Sequence, residues 1–261
     1  MKRYQGLKKA VLVLSILVIT ESILLLNLWI SRPGKIPKAP SVIKGKIAIV
    51  IDDWGYNLNN LDILGQIKYP LTASILPNLN YSRAVSGELH RRGLEIILHL
   101  PMEPHEKFRL EKNTIMTSMD ESTIRKIIMQ DLESVTYVSG VSNHMGSKAT
   151  EDLRTMGIIF KELKKRHLYF LDSLVSSESL CFDLADKIHL RFAKRDIFLD
   201  NQEESNYIKG QIHKLKTRAN VYGQAIGIGH DRKITLEVLK EVMPEIEKEG
   251  YKFVFVSELV K

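Results

Sequence analysis

From residue 46 onward, short apolar runs alternate with longer segments in which apolar positions recur at helical spacing. The runs are Lys46–Ile51, Leu71–Ile75, Leu94–Leu98, Tyr137–Val141, Leu168–Leu171, His189–Phe192, Gln224–Ile228 and Lys252–Val256. Their β-branched and aromatic content predicts buried strands. Between them, Leu58–Ile67, Ser82–Arg92, Glu121–Val135, Asp152–Arg166, Glu204–Arg218 and Thr235–Glu249 carry the period of a helix with one buried face. Arg92-Gly93 and Glu249-Gly250 place a glycine where a helix must reverse into the next strand, and Asp120-Glu121 places acids at a helix start. Strand followed by helix selects a parallel sheet with right-handed crossovers. Seven or eight such repeats in about 200 residues select closure, so the expected fold is α/β, a (β/α) barrel of seven or eight parallel strands.

The pattern before residue 46 is different. Ala10 to Ile30 is largely apolar, broken by Ser15, Thr20, Glu21, Ser22 and Asn27, and is long enough to cross a bilayer as a helix. Lys2, Arg3, Lys8 and Lys9 precede it with no acid among them. The exit Leu26-Asn27-Leu28-Trp29-Ile30-Ser31-Arg32 has no small-x-small cleavage site, which favours an uncleaved anchor over a cleaved signal. The basic flank assigns the N-terminus to the cytoplasm and the bulk of the chain to the outside. Glu21 in mid-span is the costly residue of this reading. Pro33, Gly34, Pro37 and Pro40 among lysines then read as a tether. The expected organisation is a membrane anchor or signal over 1–31, a linker over 32–45 and the barrel over 46–261. The protein is expected at the cell membrane, single-pass with the barrel extracytoplasmic, or secreted should the segment be cleaved.

Charge and cysteine usage narrow the function classes. The formal charge of +7 sits partly in the flank and the linker, so it points to an anionic membrane surface. No aromatic-interleaved basic patch is present, and nucleic acid is not expected as a partner. No glycine-rich phosphate loop follows the first strand, which argues against a nucleotide-binding α/β protein. The single cysteine, Cys181, excludes an internal disulfide and any zinc site built on several thiolates.

Candidate chemistry collects at the strand ends. Strand one ends in Asp52-Asp53, strand three in His99, strand four in Asn143-His144, strand five in Asp172 and strand seven in Gly229-His230-Asp231. In a parallel barrel these positions share one face, so residues far apart in sequence converge there. Two adjacent acids at a strand end face opposite ways unless the strand has already ended. Oxygen plus imidazole ligation suits zinc or another divalent transition metal, and one carboxylate with two histidines leaves positions open, as in a catalytic site. A carboxylate base and a histidine acid beside it would complete a hydrolase for an amide or ester.

These segments resemble a known family. Asp52-Asp53 after an apolar strand, His99-Leu100-Pro101-Met102-Glu103-Pro104, Asn143-His144-Met145-Gly146-Ser147, Phe170-Leu171-Asp172-Ser173 and Ile226-Gly227-Ile228-Gly229-His230 are similar to the divergent polysaccharide deacetylases. The resemblance covers nearly all of 46–261. It implies an irregular (β/α) barrel, a divalent metal cofactor, removal of N- or O-acetyl groups from a polysaccharide or oligosaccharide, Asp53 as a metal ligand, Asp52 as general base and His230 as general acid. The chain also departs from the better-known deacetylases, which take both metal histidines from one short motif. About a helical turn after His99 this chain has Glu103, with His105 slightly later. His144 is therefore expected as the third ligand with Asp53 and His99, Glu103 staying open as a ligand or supporting partner. The arginine-proline motif that orients the base in those enzymes has no clean match here. Asp172 is expected to orient His230 or to bind substrate. The resulting expectation is a membrane-tethered metal-dependent polysaccharide deacetylase, the alternative being an inactive glycan-binding or envelope-assembly protein on the same fold.

Overall fold

The computed structural model of the protein describes residues 2–30 and 43–261. The first unit is one helix, α1 (Lys2–Ile30), of which Tyr4–Leu28 is long and apolar enough to cross a membrane by length and composition. Three of its polar interruptions satisfy themselves within the helix. The hydroxyls of Ser15, Thr20 and Ser22 donate to the carbonyls of Val11, Leu17 and Val18 at 2.9, 2.8 and 2.8 Å, the arrangement that makes such residues tolerable in hydrocarbon. The tether expected at 32–45 lies outside the described residues except for its last three.

The second unit runs β1 (Gly45–Trp54), α2 (Leu61–Leu64), β2 (Thr72–Ile75), α3 (Ser82–Arg91), β3 (Glu95–Met102), α4 (Glu121–Ser134), β4 (Val138–Met145), α5 (Leu153–Lys165), β5 (Tyr169–Asp172), α6 (Cys181–Ile188), β6 (Phe192–Lys194), β7 (Ile197–Phe198), α7 (Ser205–Tyr222), β8 (Gln224–His230), α8 (Lys233–Lys248) and β9 (Tyr251–Val254). All pairings between these strands are parallel, in the order β6-β5-β4-β3-β2-β1-β8-β7. The long β1 takes β9 beside its first half and β2 beside its second, with β8 along its other edge. The two ends of the sheet meet through the chain itself. Arg195 N–H donates to the Asp172 carbonyl on one side and Asp196 N–H to the Ile226 carbonyl on the other, both at 2.9 Å. Residues 192–198, two short strands with a bend at Asp196 between them, thus join the ends of the sheet into an irregular barrel.

Side-chain alternation divides the core in two. Ile47, Ile49 and Ile51 of β1 join Phe170 and the helices in an outer layer, whereas Ala48, Val50, Ile97, Leu171, Ile226 and Ile228 fill the interior. Val256 and Leu259, on the turn after β9, extend the interior cluster. The helix starts agree with the sequence: Asp120 and Asp152 cap α4 and α5 by accepting the N–H of Thr123 and Thr155. Several elements differ from expectation: the helix expected at Leu58–Ile67 is the single turn α2, and the short strand β7 is additional. A short helix, α6, stands at 181–188, its Cys181 and Ala185 buried. The run expected at His189–Phe192 instead opens with His189 at φ 55°, the left-handed residue that ends this helix, so the strand begins at Phe192.

Candidate functional site

Parity along the strands decides which residues reach the barrel mouth. On β1 the interior series Ala48, Val50 continues to Asp52, which is 2% exposed. Ile97 leads to His99 on β3, Ser142 to His144 on β4, and Ile226 and Ile228 to His230 on β8. Asp53 has the opposite parity and reaches the same place by breaking the strand. Its φ is +66°, and the register between β1 and β2 slips between Ile51 and Trp54. This bulge is what lets two consecutive carboxylates face one site.

Asp53, His99 and His144 form one group whose ligand-capable atoms all lie within 4.8 Å of one another. Asp53 Oδ1 is 3.3 Å from His99 Nε2 and 3.2 Å from His144 Nδ1. That oxygen is buried and has hydrogen-bonding geometry with neither imidazole. A buried carboxylate oxygen left without a donor while two ring nitrogens crowd it is the arrangement expected where a cation draws all three together. These three residues could hold a divalent metal. Both imidazoles hold the Asp53 carboxyl well below the usual carboxylate range in spite of its burial.

Asp52 lies just behind, with Oδ2 3.6 Å from His99 Nε2. Burial raises its pKa, against the lowering influence of His99 and His230. His230 stands beside it across the β1–β8 pair. Its Nδ1 is 2.7 Å from Asp200 Oδ1, and its backbone N–H donates to Asp200 Oδ2 at 2.8 Å. Thr235 donates to the same oxygen at 2.7 Å. Burial disfavours the imidazolium, but Asp200 outweighs it, and the His230 pKa is raised. Gly229 makes this approach feasible, since a Cβ there would stand 2.9 Å from Thr235 Cγ2 and 3.4 Å from Asp200 Oδ2.

Asp172 sits at its expected strand end but on the outer parity. Its carboxylate accepts Leu174 N–H and the Ser179 hydroxyl at 2.8 and 2.7 Å, bracing the loop after β5. The carboxylate that engages His230 is Asp200, which sequence reasoning missed because Ile197-Phe198-Leu199 is too short a run to read as a strand. The available signal was the inward parity of Phe198 and Asp200. Glu103 is turned to Thr117 and Lys148, whose donors stand at 2.6 to 2.7 Å, and His105 pairs with Glu151 at 2.7 Å. Neither joins the Asp53 group.

Comparison with known proteins is decisive at the level of family. The family described as divergent polysaccharide deacetylase matches residues 49–260. The chain belongs to that family. It is 34% identical over 202 residues to the uncharacterized protein YibQ of Escherichia coli strain K12, a match covering 77% of this chain and 63% of YibQ. The matched part is thus less than two thirds of that relative's length. The fold resembles the crystal structure of the uncharacterized protein ATU2773 of Agrobacterium tumefaciens C58, with TM-score 0.79 and 23% identity over 83% of this chain and 89% of that one. It also resembles the Xyl-CE4 domain of a multidomain xylanase from the hindgut metagenome of Trinervitermes trinervoides, with TM-score 0.51 and 18% identity over 82% and 89%. For this deacetylase family member, the fold is therefore the parallel barrel of the carbohydrate deacetylases, closed irregularly and accompanied by an N-terminal apolar helix.

Proposed function

We propose that the protein is a membrane-tethered, metal-dependent hydrolase that removes acetyl groups from a polysaccharide outside the cytoplasm. The observation that carries this reading is the meeting of Asp53, His99 and His144 beside Asp52 and the Asp200-bound imidazole of His230. Asp53, His99 and His144 would hold the cation, with zinc the expected ion for an oxygen-plus-imidazole set. When bound, such an ion polarises the acetyl carbonyl and makes water more acidic.

The chain's own residues move the protons. Asp52 accepts one from the attacking water at its carboxylate, which burial makes a better base than an exposed aspartate. His230 gives one to the departing sugar nitrogen or oxygen. With Nδ1 engaged by Asp200, Nε2 is the nitrogen left to do so, and the raised pKa keeps the ring protonated for the purpose. Asp172 supports the loop after β5 and takes no part in proton transfer in this reading.

The test is metal content of the full chain in detergent together with acetate release from a panel of acetylated glycans. A bound divalent ion, and acetate release that is lost on chelation and restored by metal, support the reading. Metal uptake without acetate release from any glycan transfers the assignment to a glycan-binding protein on the same fold. A chain that takes up no divalent ion ends the metal-dependent reading.

A further inference from the structure

Beneath the Asp53 group, the barrel interior carries polar residues that the acetyl chemistry leaves unused. Neighbouring strands contribute them. Ile51 pairs with Ala73, which sets Asp52 beside Ser74 of β2; Ser74 pairs with Ile97, and His99 pairs with Ser142 of β4. Leu171 of β5, opposite Ser142, ends the polar series. Ser74 and Ser142 are 0% exposed, so no bulk water competes for their hydroxyls.

The contacts form a chain. His99 Nδ1 is 2.9 Å from Ser142 Oγ, which is 2.8 Å from Ser74 Oγ. Each hydroxyl has a single proton to donate. If Nε2 of His99 is given to a cation, its ring proton must sit on Nδ1 and point at Ser142. Ser142 then has only Ser74 to donate to. Every proton in the series acquires one direction.

We propose that Ser142 and Ser74 are positioning residues, forming a one-way hydrogen-bond relay that fixes His99 with Nε2 bare. This rests on the metal-binding reading above. It supports a ligand through two side chains that touch neither the cation nor the substrate, so disturbing either serine is felt at the metal.

The test is zinc affinity of the full chain in detergent, measured by competition with a chromophoric chelator. Alongside it, the His99 Nδ1–H resonance is followed in zinc-loaded, ¹⁵N-histidine-labelled protein. Ser142→Ala is expected to weaken zinc binding about 10- to 100-fold and to turn a slowly exchanging Nδ1–H into a fast one, while Ser142→Thr, which keeps the hydroxyl, recovers affinity. Adding Ser74→Ala to Ser142→Ala should cost little more, because a relay cut once loses little from a second cut. A parent that binds zinc beside a Ser142→Ala that binds it equally well overturns the relay alone, as does a double variant whose losses multiply. A parent that takes up no zinc overturns the metal reading and the relay with it. Should Ser142→Ala fail to fold, Ser74→Ala decides: a shifted His99 Nδ1–H resonance supports the relay and an unmoved one overturns it.

Discussion

Asp200 accepts from the His230 ring, from the His230 backbone and from Thr235, so its carboxylate is both fully used and buried. In the proposed reaction it acts through His230. Asp200→Asn removes the charge that raises the His230 pKa, and the sign follows directly: the protonated acid then persists to a lower pH, so the basic limb of kcat/KM should move to lower pH. His230→Ala and Asp52→Asn should each lower turnover by about 10²–10⁴-fold with metal content unchanged, whereas His99→Ala should lose metal. Metal content and acetate release on one set of variants check all of this. A different buried acid governs stability. Asp131 on α4 is fully buried, held by Asn78 at 2.6 Å, with Oδ2 unpartnered, and burial pushes its pKa up to about 7. The folded state therefore binds this proton more tightly than the unfolded chain. Its contribution is fullest below the unfolded pKa near 3.8 and is lost as pH rises toward 7. Asp131→Asn should remove that slope and stabilise the protein at pH 8 by on the order of 1–3 kcal/mol, with little gain at pH 4.5. Denaturant midpoints at the two pH values provide the check.

Among the elements, the strands that deliver the candidate site were legible because each is an apolar run ending abruptly in an acid or a histidine. What the runs did not disclose was the bulge. Two carboxylates in sequence alternate faces, and only the left-handed φ of Asp53 brings both to the mouth, a backbone event with no residue signature beyond the nearby Gly55. Parity was legible in principle: Leu171 faces the interior, and Asp172 follows it on the other parity, where its carboxylate accepts from Leu174 and Ser179. β7 was not legible, since two paired residues carry no periodicity, and Asp200 was hidden with it. The approach of β8 to α8 and the end of β7 yields a prediction of its own. In Gly229→Ala the added methyl would meet Thr235 and Asp200, displacing the Asp200–His230 pair. Turnover should fall while metal uptake holds, and stability should drop by about 1–3 kcal/mol. Metal titration with thermal unfolding tests it, and parent-like turnover would mean that Asp200 tolerates the shift.

At the scale of the whole molecule, the sheet order explains why distant motifs could be gathered from sequence at all. A closed parallel sheet sends every strand end to one mouth, so listing strand ends is equivalent to listing mouth residues. The N-terminal helix follows a separate logic. Its hydroxyls are satisfied internally, its cations precede the apolar stretch, and Glu21 is the one ionisable group within Tyr4–Leu28 beyond the basic flank. A cleaved signal and a retained anchor share these features and differ at the exit, where Leu26 to Arg32 has no pair of small residues for a signal peptidase. The segment should therefore remain on the mature chain, and the barrel should lie on the side opposite the basic flank. Intact mass of the membrane fraction should include residues 1–30, and protease added to the outer face of the intact cell membrane should digest the tether and release the barrel. A mature chain that begins after Ile30 would make the segment a cleaved signal and leave the barrel's compartment as proposed. A barrel protected until the membrane is opened would place it in the cytoplasm and remove an extracytoplasmic glycan as its substrate.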